Sequence, residues 1–265
     1  MAEARTPALE GKRIIVTRAK RQSEPLMERL REKGALPVFA PMVEFAAPDN
    51  LAVVDEAIQR MHDYDWVFLT SQNAVRVLEE RAEVLRVSLP RAAANSKIAA
   101  VGPATAEAIR NAGLRVDYIA ERHQGVALAE ELREEIRGKV VLLPRGDRGN
   151  PELVRMLEES GARVTEVLAY KTVRPDERTL DLARGSLAER ADAVLFFSPS
   201  AVEHLRETLG NERFLELSRL ALFVAVGPVT EQALRNASVA RVRISDDTTV
   251  GAVLQVLTNY FSASG

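Results

Sequence analysis

Four short segments rich in serine, threonine and glycine have the composition of an anion-binding site. Each follows an apolar run predicted to be a strand and precedes an amphipathic run predicted to be a helix. In open α/β sheets, ligands bind outside the carboxyl ends of the strands, where glycine allows close approach and helix N-termini offer free N–H groups. The segments therefore suit carboxylates or phosphates, although serine and threonine are also common helix N-caps. The candidate binding residues are Thr70, Ser71, Gly102, Thr105, Ser198, Ser200, Gly227 and Thr230.

Arginines lie where the first predicted strand of each half of the chain ends. Thr17 and Arg18 end the run GKRIIVTR, Arg145 ends the run GKVVLLPR, and Arg148 follows closely. A guanidinium at such a strand end can bind a carboxylate through two hydrogen bonds. We therefore predict that these four residues bind substrate. The alternative is a solvated surface arginine, which is common in a chain with 36 lysines and arginines.

Tyr170 is the best candidate for a catalytic acid. It lies in an extended segment that is too long for an ordinary connection, and a phenol there could give a proton to a leaving group. The alternative is a tyrosine packed at a domain junction with its hydroxyl group satisfied. The sequence alone does not choose between these two interpretations.

Several familiar functional motifs are missing from the sequence. No GxxxxGK[ST] loop and no GxGxxG turn after a strand occur, so nucleotide binding has no support. The chain has no cysteine, and His62, His123 and His204 are too scattered for metal-ligand spacing. We therefore predict neither a metal site nor a cofactor.

The polar turns occur in pairs because the sequence repeats itself. DWVFLTSQNAV from Asp65 returns as DAVLFFSPSAV from Asp192, and GKRIIVTR from Gly11 returns as GKVVLLPR from Gly138, both 127 residues later. KIAAVGPATAEAIRNAG returns as LFVAVGPVTEQALRNAS after 125 residues. A constant offset over this span indicates a duplicated unit of domain size. Two such domains facing each other would form a cleft lined by the paired turns.

The elements that would position these residues are predicted to be βαβ units around parallel sheets. Short β-branched or apolar runs alternate with amphipathic segments, and several runs are apolar throughout, as strands covered on both faces are. One predicted helix, Glu24–Lys33, would carry Pro25 in its first turn. The predicted strands are Arg13–Thr17, Trp66–Leu69, Ile98–Val101, Val116–Ile119, Val140–Leu143, Val164–Val167, Ala193–Phe197, Leu222–Val226 and Arg241–Ile244.

Two long extended segments, Pro37–Asp49 and Val164–Asp176, interrupt this alternation. One interpretation is two consecutive domains, 1–136 and 137–265. In the other, both segments cross between domains, so that each domain takes its first βαβ unit from the other copy of the repeat. The residue pattern leaves both interpretations open.

The composition limits the classes of function. A chain of 265 residues can form two domains, each with its own core, and 46% hydrophobic with 28% charged residues is typical of a soluble globular protein. No apolar run is long enough to cross a membrane, and the N-terminus lacks the apolar stretch of a secretory signal. We therefore expect a cytoplasmic protein without membrane contact. A net charge of −2 argues against general nucleic-acid binding.

Taken together, the motifs resemble the uroporphyrinogen-III synthase family. The resemblance runs from about Gly11 to Leu257, and the order and spacing of the motifs are more specific than any one of them. The matching segments are VTRAKRQSEPLMERLREKGA, DWVFLTSQNAV, IAAVGPATAEAIRNAG, VLLPRGDRGNPELVRMLEESGA with the following YKT, FFSPSAVEHL and AVGPVTEQAL.

This resemblance implies a fold of two flavodoxin-like α/β domains. Each would be a doubly wound parallel sheet, and a two-stranded linker would join them. It favours the crossed arrangement, with one discontinuous domain formed by 1–40 plus 174–265 and the other by 46–168. The linker would consist of 41–45 and 169–173.

The resemblance also implies a reaction. The family cyclises linear hydroxymethylbilane to uroporphyrinogen III, with loss of water and inversion of ring D, in the cleft between the domains. This is the reaction of a cyclising hydro-lyase that needs no cofactor or metal. The substrate is a small polycarboxylate, we expect a monomer, and transient contact with hydroxymethylbilane synthase would be the partnership.

The family resemblance assigns roles to matching residues in this sequence. Tyr170 of the YKT segment matches a tyrosine proposed to assist the loss of water. The residues that match cleft hydroxyls are Thr70, Ser71, Thr105, Ser198 and Thr230.

Two other classes of function remain open at this point. One is a non-catalytic protein that closes on an anion or a tetrapyrrole, including a regulatory homologue of the synthase. The other is a nucleotide- or flavin-dependent enzyme of the same fold class, because a fold alone does not determine function.

Overall fold

The computed structural model describes residues 8–122, 125–245, 247 and 249–263. The chain divides into two compact units. Unit 1 comprises Met1–Glu44 and Val173–Gly265, and unit 2 comprises Phe45–Thr172. The strands are β1 (Arg13–Val16), β2 (Leu36–Phe39), β3 (Glu44–Ala46), β4 (Trp66–Leu69), β5 (Lys97–Ala100), β6 (Tyr118–Ile119), β7 (Val140–Gly146), β8 (Arg163–Val173), β9 (Ala193–Phe196), β10 (Leu222–Val226) and β11 (Val242–Ser245).

Helices connect most consecutive strands, and a short 3-10 turn, Met61–Asp63, precedes β4. None of the described helices combines the length and the apolar character needed to cross a membrane. The helices are α1 (Lys20–Glu32), α2 (Ala52–Gln59), α3 (Gln72–Leu85), α4 (Leu89–Ala92), α5 (Pro103–Asn111), α6 (Gly125–Glu131), α7 (Pro151–Glu159), α8 (Glu177–Ala188), α9 (Pro199–Leu209), α10 (Asn211–Leu220), α11 (Pro228–Asn236) and α12 (Val250–Ser262).

Unit 1 is built on a five-stranded sheet in the order β2-β1-β9-β10-β11, and its neighbouring strands run parallel. The central strands β9 and β10 are buried along their whole length, which explains why their sequences are apolar without alternation. Helix α1 packs Leu26, Met27 and Leu30 into the same core. This three- and four-residue spacing places those side chains on one helix face.

Unit 2 is built on a six-stranded sheet in the order β3-β8-β7-β4-β5-β6. The pairs from β8 to β6 are parallel. Its two faces carry separate apolar clusters, one around Phe68 with α6 and α7, the other around Leu78 with α2, α3 and α5. The second face is held further by Arg81, whose guanidinium binds both carboxylate oxygens of Asp55 at 2.7 Å.

The core of each sheet has the flavodoxin-like strand order 2-1-3-4-5, which confirms the predicted fold class. Each sheet combines strands from both copies of the sequence repeat. β1 and β2 join β9–β11 in unit 1, whereas β7 and β8 join β4–β6 in unit 2. The exact limits proposed for the linker, 41–45 and 169–173, stay a prediction.

A duplicated aspartate fastens the exchanged strands in both units. The Asp192 carboxylate accepts a hydrogen bond from the backbone N–H of Arg13 at 2.9 Å, and the Asp65 carboxylate accepts one from Val140 at 2.8 Å. The hydrogen bond from the Val140 N–H lowers the pKa of the Asp65 carboxyl group most, and a hydrogen bond from the Lys139 side chain lowers it further. Equivalent residues of the two copies therefore make the same contact, each with a strand from the other copy.

One helix start was predicted wrongly. Helix α1 begins at Lys20 rather than Glu24, so Pro25 lies inside the helix and not in its first turn. The helix starts earlier because the Ala19 carbonyl accepts hydrogen bonds from both the backbone N–H and the hydroxyl of Ser23. Pro25 has no N–H to donate within the helix.

Strands β7 and β8 are longer than the sequence predicts. They run to Gly146 and Val173, whereas the predicted ends are Leu143 and Val167. They remain paired as far as Gly146 and Tyr170. The extension carries Arg145 and Tyr170 on adjacent strands, which brings two candidate site residues together.

Candidate active site

A cavity of about 290 Å³ opens at the carboxyl ends of the unit 2 strands. It lies beside β4 and β7, where the strand order reverses, and this is the position at which doubly wound sheets bind ligands. The cavity brings together the predicted residues Thr70, Ser71, Arg145, Arg148 and Tyr170. Its other lining residues are Val101, Gly125, Gly146, Gly149, Asn150, Leu153 and Thr172.

The Tyr170 side chain is half-buried at the wall of this cavity. Its hydroxyl group donates a hydrogen bond to Ser71 Oγ at 3.0 Å. The Tyr170 ring makes an edge-to-face contact with the Phe45 ring, with the ring centroids 5.4 Å apart and the ring planes at 86°. The phenol is therefore held at both ends while it lines the space in which a ligand would lie.

Ser71 connects Tyr170 to the start of a helix. Its Oγ accepts a hydrogen bond from the backbone N–H of Ala74 at 3.1 Å, which makes Ser71 the N-cap of α3. The helix N-terminus carries partial positive charge, which stabilises negative charge nearby. Ser71 thus places the Tyr170 oxygen near a helix end that favours an anion.

A β-bulge directs Tyr170 to its position. Arg145 of β7 pairs with Leu168 of β8, but the next residue, Gly146, pairs with Tyr170. Ala169 is the extra residue on β8 and has no partner in the register. Because a bulge changes the direction of the side chains that follow it, this irregularity contributes to the direction in which Tyr170 leaves the strand.

Arg145 organises the loop that closes one side of the cavity. Its side chain is almost fully buried and donates hydrogen bonds to the carbonyls of Gly149, at 2.7 Å, and Asn150, at 3.1 Å. Its Nε lies 3.3 Å from a Glu166 carboxylate oxygen, but the orientation does not make a hydrogen bond. The guanidinium predicted to grip a carboxylate is thus largely engaged with the protein backbone.

Arg148 has more freedom to meet a ligand. Its side chain is 59% exposed, and its Nε lies 3.8 Å from a carboxylate oxygen of Asp147. The other oxygen of Asp147 accepts a hydrogen bond from the backbone N–H of Thr172 at 2.8 Å. Asp147 therefore ties the loop to the end of β8, while Arg148 extends from that loop at the cavity.

The adjacent strand β5 contributes the second polar turn of unit 2. Val101 lines the cavity, Gly102 is the N-cap of α5, and Thr105 lies buried in the first turn of that helix. Thr105 is thus near the helix start but covered in this structure.

In unit 1 the equivalent strand ends lie at β1 and β9. Thr17 is fully buried and donates its hydroxyl to the Leu195 carbonyl at 2.7 Å, which leaves that hydroxyl no access to a ligand in this structure. Arg18 donates from Nε to Gln22 at 3.0 Å and lies over the ring of Phe197, 5.0 Å from its centroid. Burial lowers the pKa of the Arg18 guanidinium.

The remaining predicted residues of unit 1 lie at helix starts. Ser198 is the N-cap of α9, and its Oγ accepts a hydrogen bond from the Ala201 N–H at 3.3 Å. Ser200 and Thr230 are buried in the first turns of α9 and α11, and Gly227 precedes α11 with a φ of 85°. Capping therefore accounts for Ser198, as it does for Ser71.

The two histidines that the structure describes, His62 and His204, lie in different units. His204 is buried in α9, and its Nδ1 lies 2.6 Å from the Met42 carbonyl, whereas His62 is exposed beside Asp63. His123 lies outside the described residues. Within the described ranges, no group of three or more histidine, aspartate or glutamate side chains is placed to hold a metal ion.

Sequence reasoning missed several residues that shape the cavity. Gly146 and Gly149 lie against Tyr170 and Arg145, Asn150 is the N-cap of α7, and Phe45 packs on the Tyr170 ring. The two glycines around Arg148 were a usable signal, because glycine after a strand marks a close approach.

Two flavodoxin-like units, with a cavity lined by hydroxyl and arginine side chains at the point where the strand order of one sheet reverses, define a class of two-domain α/β proteins that hold small ligands at strand ends. The family model for uroporphyrinogen-III synthase HemD matches residues 24–255. The chain belongs to the uroporphyrinogen-III synthase family.

Individual relatives agree with this family assignment. A uroporphyrinogen-III synthase of Synechococcus elongatus is 31% identical over 230 residues, which cover 84% of this chain and 85% of that protein. A mutant uroporphyrinogen III synthase of Thermus thermophilus matches with a TM-score of 0.65 and 21% identity, covering 96% of this chain and 100% of that one. The uroporphyrinogen-III synthetase of Helicobacter pylori gives 0.64 and 14%, covering 94% and 99%. These two structures show the shared fold.

Proposed function

We propose that this enzyme cyclises linear hydroxymethylbilane to uroporphyrinogen III, with loss of water and inversion of ring D. The family assignment supports the reaction, and it gives no support to a non-catalytic homologue. The observation that carries the assignment to this site is that the Tyr170 phenol and the Arg148 side chain line the same cavity of unit 2.

Tyr170 is proposed as the acid for the first bond cleavage. The terminal C–O bond of the substrate breaks as the hydroxyl takes a proton and leaves as water, and the electron pair of the pyrrole nitrogen replaces the lost bond. The hydroxyl of Tyr170 would turn from Ser71 Oγ to supply that proton, and the neighbouring N-terminus of α3 would stabilise the phenolate that remains. A proton released when the final pyrrole ring regains its aromaticity would restore the phenol.

The rest of the reaction depends mainly on how the substrate is held. The electrophile formed by the loss of water is reactive, and the substituted carbon of ring D must attack it before the unsubstituted carbon does. Holding the chain in that conformation directs closure to the substituted carbon instead of the unsubstituted carbon, which reacts in the free substrate. We propose that ring inversion then proceeds through a spiro intermediate.

Carboxylate binding is proposed for the exposed guanidinium of Arg148 and for the polar turns. The helix N-termini after Ser71 and Ser198 offer backbone N–H groups and partial positive charge. Arg18, at the equivalent strand end in unit 1, is proposed to bind another carboxylate group. Arg145 is proposed to act through the loop that it holds.

The finer classification also belongs to this proposal. Loss of water with ring closure makes the enzyme a cyclising hydro-lyase, and the proposed chemistry uses no metal or cofactor. We propose a cytoplasmic monomer that receives its unstable substrate by transient contact with hydroxymethylbilane synthase.

The decisive experiment supplies the purified protein with freshly made hydroxymethylbilane. An excess of the type III isomer over the type I isomer, which forms spontaneously, is expected. Heat-denatured protein is the control, and it should give the type I isomer alone. The same isomer ratio with native and denatured protein would show that the proposed activity is wrong.

A further inference from the structure

We propose that Gly146 is a positioning residue for Tyr170, an inference that rests on the proposed catalytic role of that tyrosine. A Cβ atom at position 146 would lie 2.6 Å from both Cε2 and Cζ of the Tyr170 ring and 2.9 Å from its hydroxyl oxygen. Carbon atoms in contact normally lie about 3.5–4.0 Å apart. The ring therefore occupies the space that any other side chain at this position would need.

The backbone does not explain why glycine is present here. Gly34 and Gly161 have φ values of 80° and 87°, in the region that disfavours other residues. Gly146 instead ends strand β7 and is absent from that group of backbone conformations. Glycine is thus required at position 146 because the Tyr170 ring occupies the space that a side chain would need.

The Tyr170 ring has little room to adjust. Its hydroxyl is bonded to Ser71, the edge-to-face contact with Phe45 supports the ring, and the bulge at Ala169 fixes where it leaves the strand. A methyl group at position 146 would displace the Tyr170 ring and break the hydrogen bond between its hydroxyl group and Ser71. The hydroxyl group would then no longer lie next to the N-terminus of α3.

The first measurement compares steady-state rates of type III formation. Gly146→Ala is expected to lower kcat about 10- to 100-fold, the range typical when a catalytic group is displaced, with a smaller change in KM. In a Tyr170→Phe background the same substitution should change the rate less than about twofold, because residues that act through one group are not additive. Gly185→Ala is the matched control, since a Cβ there meets no atom within 4 Å.

The second measurement follows the ring itself. The chain has 4 tyrosines, so fluorotyrosine labelling gives a simple fluorine NMR spectrum, in which Tyr170→Phe identifies the Tyr170 resonance. Gly146→Ala should shift that resonance and leave those of Tyr64 and Tyr118 in place. If Gly146→Ala does not fold, Gly146→Ala combined with Tyr170→Ala must fold, because the collision is then removed.

The results test two separate claims, the role of Gly146 and the acid role of Tyr170. Wild-type activity of Gly146→Ala, a further loss in the Tyr170→Phe background, or an unmoved Tyr170 resonance would overturn the role of Gly146. So would a double variant that fails to fold. Wild-type activity of Tyr170→Phe alone would instead reject the proposed acid, while the fluorine spectrum would still report whether Gly146 places the ring.

Discussion

At the scale of single residues, the arrangement around Tyr170 links a backbone irregularity to a chemical group. The bulge at Ala169, the missing side chain of Gly146 and the N-cap hydroxyl of Ser71 all act on one phenol. Because Ser71 also caps α3, the same hydrogen bond couples the phenol to a helix end. Substitutions that change only one atom are therefore informative here.

Tyr170→Phe should lower the rate of type III formation about tenfold or more, while the protein keeps its fold. The phenyl ring retains the contact with Phe45, and the lost hydrogen bond to Ser71 is worth only about 0.5–1.5 kcal/mol. Isomer analysis of the product measures the rate, and thermal unfolding measures the stability. Tyr64→Phe, which removes a hydroxyl outside the cavity, should keep the wild-type rate.

The two arginines of the loop should respond differently to removal. Arg148→Ala is expected to raise KM severalfold with little change in kcat, because its exposed guanidinium would serve to bind the anionic substrate. Arg145→Ala should lower the thermal stability of the protein, because it leaves the carbonyl groups of Gly149 and Asn150 without their hydrogen-bond donor. Arg155→Ala, on the exposed face of α7, is the control. An equal rise of KM in that variant would show that Arg148 acts only through the overall charge of the protein and not by binding the substrate.

At the scale of elements, a carboxylate joins two helices of unit 2. Asp55 on α2 accepts two hydrogen bonds from Arg81 on α3, and these bonds lower the pKa of Asp55. A carboxyl group whose pKa is lower in the folded state stabilises that state above its unfolded pKa of about 3.9. The contribution is lost as the pH falls through the folded pKa.

Asp55→Asn should therefore destabilise unit 2 by about 1 kcal/mol at neutral pH, and the difference from the wild type should shrink as the pH falls below about 4. Trp66 is the single tryptophan and is buried in unit 2, so its fluorescence reports unfolding of this unit in urea. Glu56→Gln is the matched control, because its pair with Arg60 is exposed on the same helix. Equal losses at every pH would contradict the assignment to this carboxylate.

The elements that sequence predicts best are those buried on both faces. Trp66–Leu69 and Leu222–Val226 were predicted with their observed bounds, because continuous apolar runs between turns have few other interpretations. β2 (Leu36–Phe39) was seen only as part of an extended segment. It lies at the sheet edge, contains a proline and exposes Leu36, so it lacks the pattern of a buried strand.

The sequence predicts which residue types form the candidate site, but not which of these residues contact each other. Hydroxyls, arginines and a tyrosine at strand ends could be selected from sequence, yet the bond between Tyr170 and Ser71 joins residues 99 positions apart. Thr17 and Arg145 show the limit of this reasoning, because their polar groups bind backbone carbonyls. Gly146 could be noted from sequence as a glycine that follows a predicted strand, but its contact with the tyrosine ring could not be foreseen.

At the scale of the whole molecule, the exchange of strands determines which pieces can fold alone. Residues 45–172 contain unit 2 with both of its apolar clusters, whereas residues 1–136 contain β4 without its neighbour β7 and β1 without its neighbour β9. We expect the fragment 45–172 to unfold cooperatively in urea and the fragment 1–136 to show no cooperative transition. Circular dichroism and Trp66 fluorescence measure both, and a cooperative transition in 1–136 alone would contradict this expectation.

The same exchange sets an order of events during synthesis on the ribosome. Strand β1 leaves the ribosome early, but its neighbour β9 and the Asp192 carboxylate follow 179 residues after Arg13. At ordinary elongation rates this delay is on the order of ten seconds or more. Unit 2 can close in that interval, while the apolar strand Arg13–Val16 waits without its sheet. A nascent chain of this topology therefore exposes the strand Arg13–Val16 until β9 and Asp192 have been made, and that is when it would benefit from a chaperone.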